Sequence, residues 1–294
     1  MMEGNPSLLP EESYALKFAE MPTLTFLPVD RLLIHERHDP QRTPPLIQRI
    51  RRSGMIRNPP IVSPLIDGSG RYMVLDGANR VTALKEMHYP HALVQVVEPG
   101  DPGLKLYKWS HVVWEMSADR FLKGFRKTPG LILCRERNPH AEASLEGGCG
   151  LALVYTCRGN LYSVCTEAQD LESRVELLHA VVDSYREHCR LDRTNLHNID
   201  VLRDIYPQFS GLVVFPEFSI SDIMKLCSQG YLLPSGITRF AISPRALHLN
   251  YPLEEFAPEI PLEEKNERLH RWLQDRLARK GVRYYAEATF LFDE

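Results

Sequence analysis

The chain has 294 residues, of which 44% are hydrophobic and 25% charged, and this globular composition excludes disordered and fibrous classes. Its formal net charge is -3, which counts against nucleic acid as the main partner because DNA binders usually carry a basic excess. No segment approaches the roughly 20 apolar residues of a membrane span, and the N-terminal residues lack a signal-peptide core. The six cysteines form no C-x-x-C pair, which argues against a secreted disulfide scaffold. We therefore expect a cytoplasmic protein with reduced thiols and no membrane contact.

Short strands and helices alternate in the first part of the chain, after an N-terminal arm over residues 1–22. Thr43 is a suitable helix N-cap, because Pro44 and Pro45 then occupy the first turn, and Gly54 is a suitable end for that helix. The hydrophobic patterns predict strands over 24–29, 60–64, 71–75 and 92–97, and helices over 43–54 and 78–87.

A cluster of glycines and prolines over residues 98–103 marks the boundary between two regions. Beyond it the patterns predict a hairpin of strands 151–156 and 161–166, a helix over 171–189, a strand over 212–215, a short helix that is capped by Ser219 and Asp222 and ends at Gly230, a helix over 261–280, and a strand over 284–292. This alternation predicts a mixed α/β (α+β) protein, with a first domain over 23–100 and a second α/β region over 101–294.

The stretch Met73–Leu84 predicts a strand that runs directly into a helix through Asp76 and Gly77. Gly77 permits a tight turn and close approach of a ligand, and the free N–H groups of the new helix favour a phosphate. Arg80 can donate to phosphate oxygens, and Asp76 can bind Mg²⁺ or orient a nucleophile. The structural alternative is that Asp76 only caps the helix and pairs with Arg80.

This D-G-x-x-R element resembles the motif with which the ParB/sulfiredoxin superfamily holds nucleotide phosphates. Residues 32–42 and 57–62 resemble the first conserved segment and the P-I-x-V strand of that superfamily. Within it, the chain most resembles the free L-serine kinases, including the SbnI-type enzymes of siderophore biosynthesis. In those kinases a glutamate after a histidine, as in His35-Glu36, acts as the base. The resemblance continues over residues 109–111, 234–239, 250–253 and 283–294, and is poor over about 120–210.

The resemblance implies an N-terminal ParB/sulfiredoxin-like nucleotide-binding domain and a kinase that uses ATP or ADP, with Mg²⁺, to phosphorylate free L-serine. The product would be O-phospho-L-serine, for a siderophore or other secondary-metabolite route. Glu36 and Asp76 would be the catalytic residues, with Asp76 also the Mg²⁺ ligand. The implied nucleotide contacts are Asp76, Gly77, Ala78, Asn79 and Arg80. The implied serine contacts are Trp109, His111, Thr238 and Arg239.

Each of these residues also has a purely structural interpretation. Glu36 can be a solvated loop carboxylate, and Trp109 can be an ordinary core aromatic. His111 can be a buried histidine with satisfied hydrogen bonds, and Arg239 can belong to a surface ion pair.

Ala78 and Asn79 depart from the D-G-E-R-R of partitioning proteins and the D-G-H-H-R of archaeal serine kinases, which leaves their roles open. No cysteine precedes Cys134, so sulfiredoxin chemistry is excluded. The rival interpretation is a ParB-like, nucleotide-switched DNA-binding regulator without kinase activity. The sequence leaves the nucleotide, the pathway and the oligomeric state, including a homodimer, open.

Overall fold

The computed structural model describes residues 21–38, 40–137, 145 and 148–284. Its first part contains β1 (Thr23–Pro28), β2 (Leu32–Ile34), α1 (Thr43–Ser53), β3 (Met55–Ile56), β4 (Ile61–Pro64), β5 (Tyr72–Asp76), α2 (Ala78–Glu86) and β6 (His91–Val96). Its second part contains β7 (Leu104–Lys108), β8 (Ser110–Trp114), α3 (Ala118–Lys127), β9 (Ile132–Glu136), β10 (Gly150–Thr156), β11 (Leu161–Cys165), α4 (Leu171–Arg186), β12 (Arg190–Thr194), α5 (Ile199–Ile205), β13 (Phe209–Val214), α6 (Ile220–Ser228), β14 (Thr238–Ile242), β15 (Tyr251–Pro252) and α7 (Leu262–Ala278).

The first five-stranded sheet has the order β1-β6-β4-β5-β2 and is buried on both faces. Its strand β5 shows why: Met73 and Leu75 pack into a core shared with the second part of the chain, whereas Tyr72 and Val74 pack into the opposite core. Successive side chains of a strand point to opposite faces, so an uninterrupted apolar strand needs cover on both sides. Strands β2 and β5 are parallel neighbours, and their carboxyl ends therefore meet at one edge of the sheet.

The second, six-stranded sheet has the order β12-β8-β13-β10-β11-β9, and its neighbouring strands run antiparallel. Helices α3 and α4 pack together on one face through residues such as Phe121 and Tyr185. Helix α5 covers the other face with Leu202. Helix α6 lies between the two sheets and contacts β2 and β5. A separate ladder joins β14 to β7.

The C-terminal helix α7 packs on the first sheet, although it is the last helix of the described chain. Leu269 lies in the same core as Phe26 of β1, together with Tyr251 and Phe256 of the preceding segment. Lys265 of α7 is fully buried, and its ammonium donates to the carbonyl of Phe256 at 2.9 Å. The neighbouring Asn266 accepts the Phe26 N–H at 2.7 Å, which caps the edge strand β1.

The predicted elements of the first part are confirmed within one or two residues, and so are the hairpin, the capped helix α6 and helix α7. The mixed α/β class is confirmed as well. Ser219 accepts the N–H of Asp222 at 3.0 Å, as the predicted cap requires. Of the predicted N-terminal arm, residues 1–20 lie outside the described residues, as does the C-terminal strand from residue 285 onward.

Two local predictions were wrong. Thr43 is not the N-cap of α1: a short 3-10 turn over Pro40–Arg42 leads directly into the helix, so Arg42 precedes the first helical residue, and the buried Thr43 hydroxyl has no hydrogen-bond partner. Helix α4 ends at Arg186 instead of residue 189, because the chain turns there to form the edge strand β12.

Within the described residues, no helix is long and apolar enough to cross a membrane. All six cysteines lie in this part of the chain and carry free thiols.

Candidate active site

A cavity of about 780 Å³ opens at the edge where β2 and β5 end, between the first sheet and the segment that contains β14. Ile34 and Val74 are register partners in the two parallel strands, so Glu36 and Asp76, each two residues further on, leave the sheet at the same level. Ligands of α/β proteins commonly bind beyond the carboxyl ends of parallel strands. The topology therefore places two candidate catalytic carboxylates side by side in the cavity wall.

The Glu36 carboxylate is held by neutral donors from the distant segment 236–238. Its Oε2 accepts the Gly236 N–H at 2.8 Å, and its Oε1 accepts the Thr238 N–H at 2.8 Å and the Thr238 hydroxyl. A carboxylate offers about four lone-pair positions, so these three bonds fix its orientation and leave room for a further donor. This arrangement excludes the interpretation of Glu36 as a solvated loop residue.

His35 connects Glu36 to the sheet. Its Nδ1 donates to the carbonyl of Val74 at 2.7 Å, and its Nε2 lies 2.9 Å from the Thr238 hydroxyl oxygen. The imidazole is buried and packs edge-on against Phe240, with 5.2 Å between the ring centroids. A chain of contacts therefore runs from the Val74 carbonyl of β5 through His35 to the Thr238 hydroxyl, which donates to Glu36.

Gly236 has a φ of +80°, a conformation that residues with a Cβ rarely adopt, and a Cβ there would also displace the guanidinium of Arg193. Its carbonyl accepts a hydrogen bond from His111 Nε2 at 3.1 Å, which holds the peptide that lies between the two that donate to Glu36.

His111 lies behind the cavity and does not line it, although the sequence suggested a serine contact. It is fully buried, with Nδ1 at 2.8 Å from the Tyr185 hydroxyl. Because the Gly236 carbonyl can only accept, Nε2 carries the proton and Nδ1 accepts from Tyr185. Burial lowers the pKa of His111 to about 3, which keeps the ring neutral and preserves this pair of hydrogen bonds.

On the other side of the cavity, Asp76 is paired with cations. Its Oδ2 lies 3.2 Å from Arg80 Nη2 and also contacts Nη2 of Arg245. Gly77 has φ +93° and begins α2, and a Cβ there would lie 2.7 Å from the Arg80 guanidinium. Burial lowers the pKa of both arginines, since each is partly removed from water.

The turn into α2 also holds buried polar atoms without partners. In the described residues, five buried side-chain polar atoms lack a hydrogen bond, and two of them are Asn79 Oδ1 and Arg80 Nε. Such atoms cost free energy unless a ligand or water satisfies them. They lie in the cavity wall beside the N-terminus of α2, where anions are favoured.

The cavity is strongly cationic. Among the described residues that line it there are two carboxylates, Glu36 and Asp76, and seven arginines: Arg37, Arg42, Arg49, Arg80, Arg193, Arg239 and Arg245. An excess of fixed positive charge in a concave site attracts polyanions such as nucleotide phosphates.

Trp109 and Arg239 form the remaining wall. Arg239 lies on β14, and its guanidinium is 4.7 Å from the centroid of the Trp109 ring. The backbone N–H of Trp109 donates to the carbonyl of Ile237 at 3.0 Å, which joins the end of β7 to the start of β14. Trp109 lines the cavity and is only partly buried, so the alternative of an ordinary core aromatic does not hold.

The structure brings together the predicted residues Glu36, Asp76 to Arg80, Trp109, Thr238 and Arg239, and leaves out His111. Sequence reasoning missed Arg193, Ser235, Phe240 and Arg245, together with Arg42 just before α1 and Arg49 on that helix. Arg42 lies in the segment that resembles the superfamily, which was a usable signal. Arg193 and Arg245 had none, because they reach the cavity only through the tertiary fold.

The sequence of the chain is similar to those of known enzymes. The sequence is 26% identical to the ATP-dependent L-serine kinase SbnI of Staphylococcus aureus over 282 residues, which are 92% of this chain and 97% of that protein. The chain is similar to free L-serine kinases. No family model matches it. The motif-based resemblance is thus confirmed over nearly the whole length of the chain.

Solved structures agree on the fold. SbnI from Staphylococcus aureus with a C-terminal truncation superposes with a TM-score of 0.67 and 24% identity, covering 87% of this chain and 97% of that one. A variant of a free serine kinase in complex with ADP superposes with a TM-score of 0.66 and 16% identity, covering 81% and 95%. The chain therefore has the fold of these kinases.

Proposed function

We propose that this protein is an ATP-dependent kinase that phosphorylates free L-serine to O-phospho-L-serine. The observation that carries the proposal is that Glu36 and Asp76 lie side by side at one sheet edge. They line a cationic cavity that Trp109 and Arg239 also line. The similarity to an ATP-dependent L-serine kinase over 92% of the chain supports it. No observation on the described residues favours the DNA-binding regulator.

The nucleotide phosphates would lie over the turn from Asp76 to Arg80. The free N–H groups at the start of α2 and the Arg80 guanidinium suit phosphate oxygens, and Asn79 Oδ1 offers an acceptor to a hydroxyl or amino group of the nucleotide. Both arginines contact Oδ2 of Asp76, so Oδ1 would be the ligand for a Mg²⁺ that arrives with the nucleotide, an ion that usually takes one or two carboxylates and completes its shell with phosphates and water. Bound there, Mg²⁺ would neutralise charge on the phosphate oxygens.

Serine would lie between Glu36 and Arg239. The planar guanidinium of Arg239 suits the amino-acid carboxylate, and its position over Trp109 holds it in place. The Thr238 hydroxyl, between His35 and Glu36, lines the same side of the cavity.

The reaction follows from these positions. The serine hydroxyl oxygen forms a bond to the γ-phosphorus, and the bond from that phosphorus to the β–γ bridging oxygen breaks. Glu36 accepts the hydroxyl proton, and ADP leaves with the bond electrons. The arginines stabilise the negative charge on the transferred group throughout. A general base must lie within hydrogen-bond reach of the proton, and the unused acceptor position on Glu36 provides for this.

The direct test is to incubate the purified protein with Mg²⁺ and ATP, and with each of serine, threonine and homoserine, and to identify products by ³¹P NMR. We expect O-phosphoserine from serine and much less product from the other two. Parallel reactions with ADP or CTP in place of ATP identify the donor. Absence of phosphoserine with every donor would refute the proposal. Homodimer formation and a cytoplasmic location stay predictions.

A further inference from the structure

Arg245 enters the cavity from the loop that follows β14. It contacts the same Asp76 oxygen as Arg80, although it is separated from Asp76 by 169 residues of sequence. The loop therefore delivers a cation from the second part of the chain to the phosphate side of the site.

The loop is held on both sides of Arg245 by one side chain of the first sheet. Gln95 of β6 is buried, its Nε2 donates to the Pro244 carbonyl at 2.9 Å, and its Oε1 accepts the Ala246 N–H at 2.9 Å. The backbone N–H of Ser243 also donates to the Gly103 carbonyl at 3.1 Å, and a Cβ on Gly103 would collide with the Ser243 carbonyl. The main chain at Arg245 is therefore fixed, and only its side chain can move to contact a ligand.

The charges at this point do not balance. Two guanidinium groups share one carboxylate oxygen of Asp76, so one positive charge is left over at the floor of the cavity. Both arginines are also partly desolvated, which makes a second anionic partner more favourable. A phosphate accepts two parallel N–H bonds from a guanidinium, which a single shared oxygen does not allow.

We propose that Arg245 binds the β- and γ-phosphates of the nucleotide and that Gln95 positions it. The inference rests on the proposed function in that it places the nucleotide in this cavity. The transferred γ-phosphate must lie next to Glu36, and Asp76 leaves the sheet beside Glu36. Because Arg245 contacts Asp76, it lies at the end of the site where the β- and γ-phosphates belong.

The test is calorimetric titration of Arg245→Ala with ADP and with AMP. We expect ADP binding to weaken roughly ten- to hundredfold, since a charge-assisted hydrogen bond is lost, and AMP binding to change less than about threefold. The matched control is Arg268→Ala, because Arg268 is equally exposed at 36% and pairs with Glu255 and Glu264 away from the cavity. Unchanged ADP affinity, or equal losses for ADP and AMP, would overturn the proposal.

Gln95 is tested by a double-mutant cycle. Gln95→Leu should weaken ADP binding less than Arg245→Ala does, by about three- to tenfold. If Gln95 acts through Arg245, the double variant should bind ADP as Arg245→Ala alone does, because Gln95 has no guanidinium left to position. A purely structural role of Gln95 would instead make the two losses multiply, and that result would remove Gln95 from the proposal.

The outcomes also separate this inference from the proposed function. A parent protein that binds ADP but forms no phosphoserine would refute the kinase proposal. The ADP titrations would still decide the role of Arg245 in that case. A parent that phosphorylates serine while Arg245→Ala retains full ADP affinity would refute only the role of Arg245.

Discussion

The Glu36 side and the Asp76 side of the cavity use the same residue chemistry for different purposes. Both carboxylates follow parallel strands of one sheet, yet Glu36 receives two backbone N–H groups and a hydroxyl, whereas Asp76 receives two arginines. Neutral donors orient the Glu36 carboxylate without placing a positive charge beside it, which suits the proposed role of a base. Cationic partners cancel the charge of Asp76 and leave a surface that suits phosphates. The partners, and not the carboxylates themselves, distinguish the two sides.

The largest effect should come from Glu36→Gln. The change removes the base and keeps the size of the side chain, so we expect the rate of serine phosphorylation to fall about 10²–10⁴-fold. ADP affinity should stay near that of the parent, because the proposal places the phosphates on the Asp76 side. The measurements are phosphoserine formation at saturating ATP and calorimetric titration with ADP. A variant that retains the parent rate would erase the proposed difference between the two sides.

Arg80→Ala should affect the other side alone. Loss of the guanidinium at the start of α2 should weaken ADP binding roughly ten- to hundredfold in calorimetry. Arg203→Ala is a suitable control, because Arg203 pairs with Asp200 on α5, away from the cavity. If both variants bind ADP equally well, the nucleotide lies elsewhere.

Arg239→Lys should produce a smaller change on the serine side. Lysine keeps the charge and loses the planar fork, so the KM for serine should rise roughly two- to tenfold, with little change in kcat or ADP affinity. Arg190→Lys is matched, since Arg190 also lies over a tryptophan ring, that of Trp114, outside the cavity. An unchanged KM together with a lower Tm would make Arg239 a structural residue only.

His111 should show its effect mainly in the pH dependence of stability. Because the pKa of folded His111 lies below its ordinary value near 6.5, the unfolded chain binds the proton first, and acidification favours unfolding. As the pH falls, the free energy of unfolding should begin to decrease near the ordinary pKa of histidine, and the slope due to His111 should approach roughly 1.4 kcal/mol per pH unit at lower pH. His111→Gln should flatten that slope in urea unfolding at several pH values. The exposed His270→Gln should retain the parent slope, and equal slopes in all three proteins would contradict the assignment.

The sequence predicted the Asp76 side better than the Glu36 side, for a physical reason. The strand, the turn at Gly77 and the start of α2 are contiguous, so local pattern and backbone chemistry define them. Glu36 was found through resemblance alone, because the donors that orient it lie 200 and 202 residues away. Arg193 and Arg245 could not be found, since their positions depend on how β12 and the loop after β14 pack. His111 shows the opposite limit: proximity to Trp109 in sequence suggested a substrate contact, but its side chain points into the core behind Gly236.

The position of α7 has a consequence for the order in which the protein folds as it is synthesised. Phe26 of the first strand packs in one core with Tyr251, Phe256 and Leu269. The ribosome reaches Leu269 on the order of ten to thirty seconds after it completes β6, at the usual 5–20 residues per second. During that interval α1 and α2 can cover this face of the first sheet, but the part that α7 covers stays open, and the edge of β1 lacks the cap from Asn266. The residues around Asp76 are thus encoded early in the chain, but the core behind their sheet is completed only when α7 is synthesised.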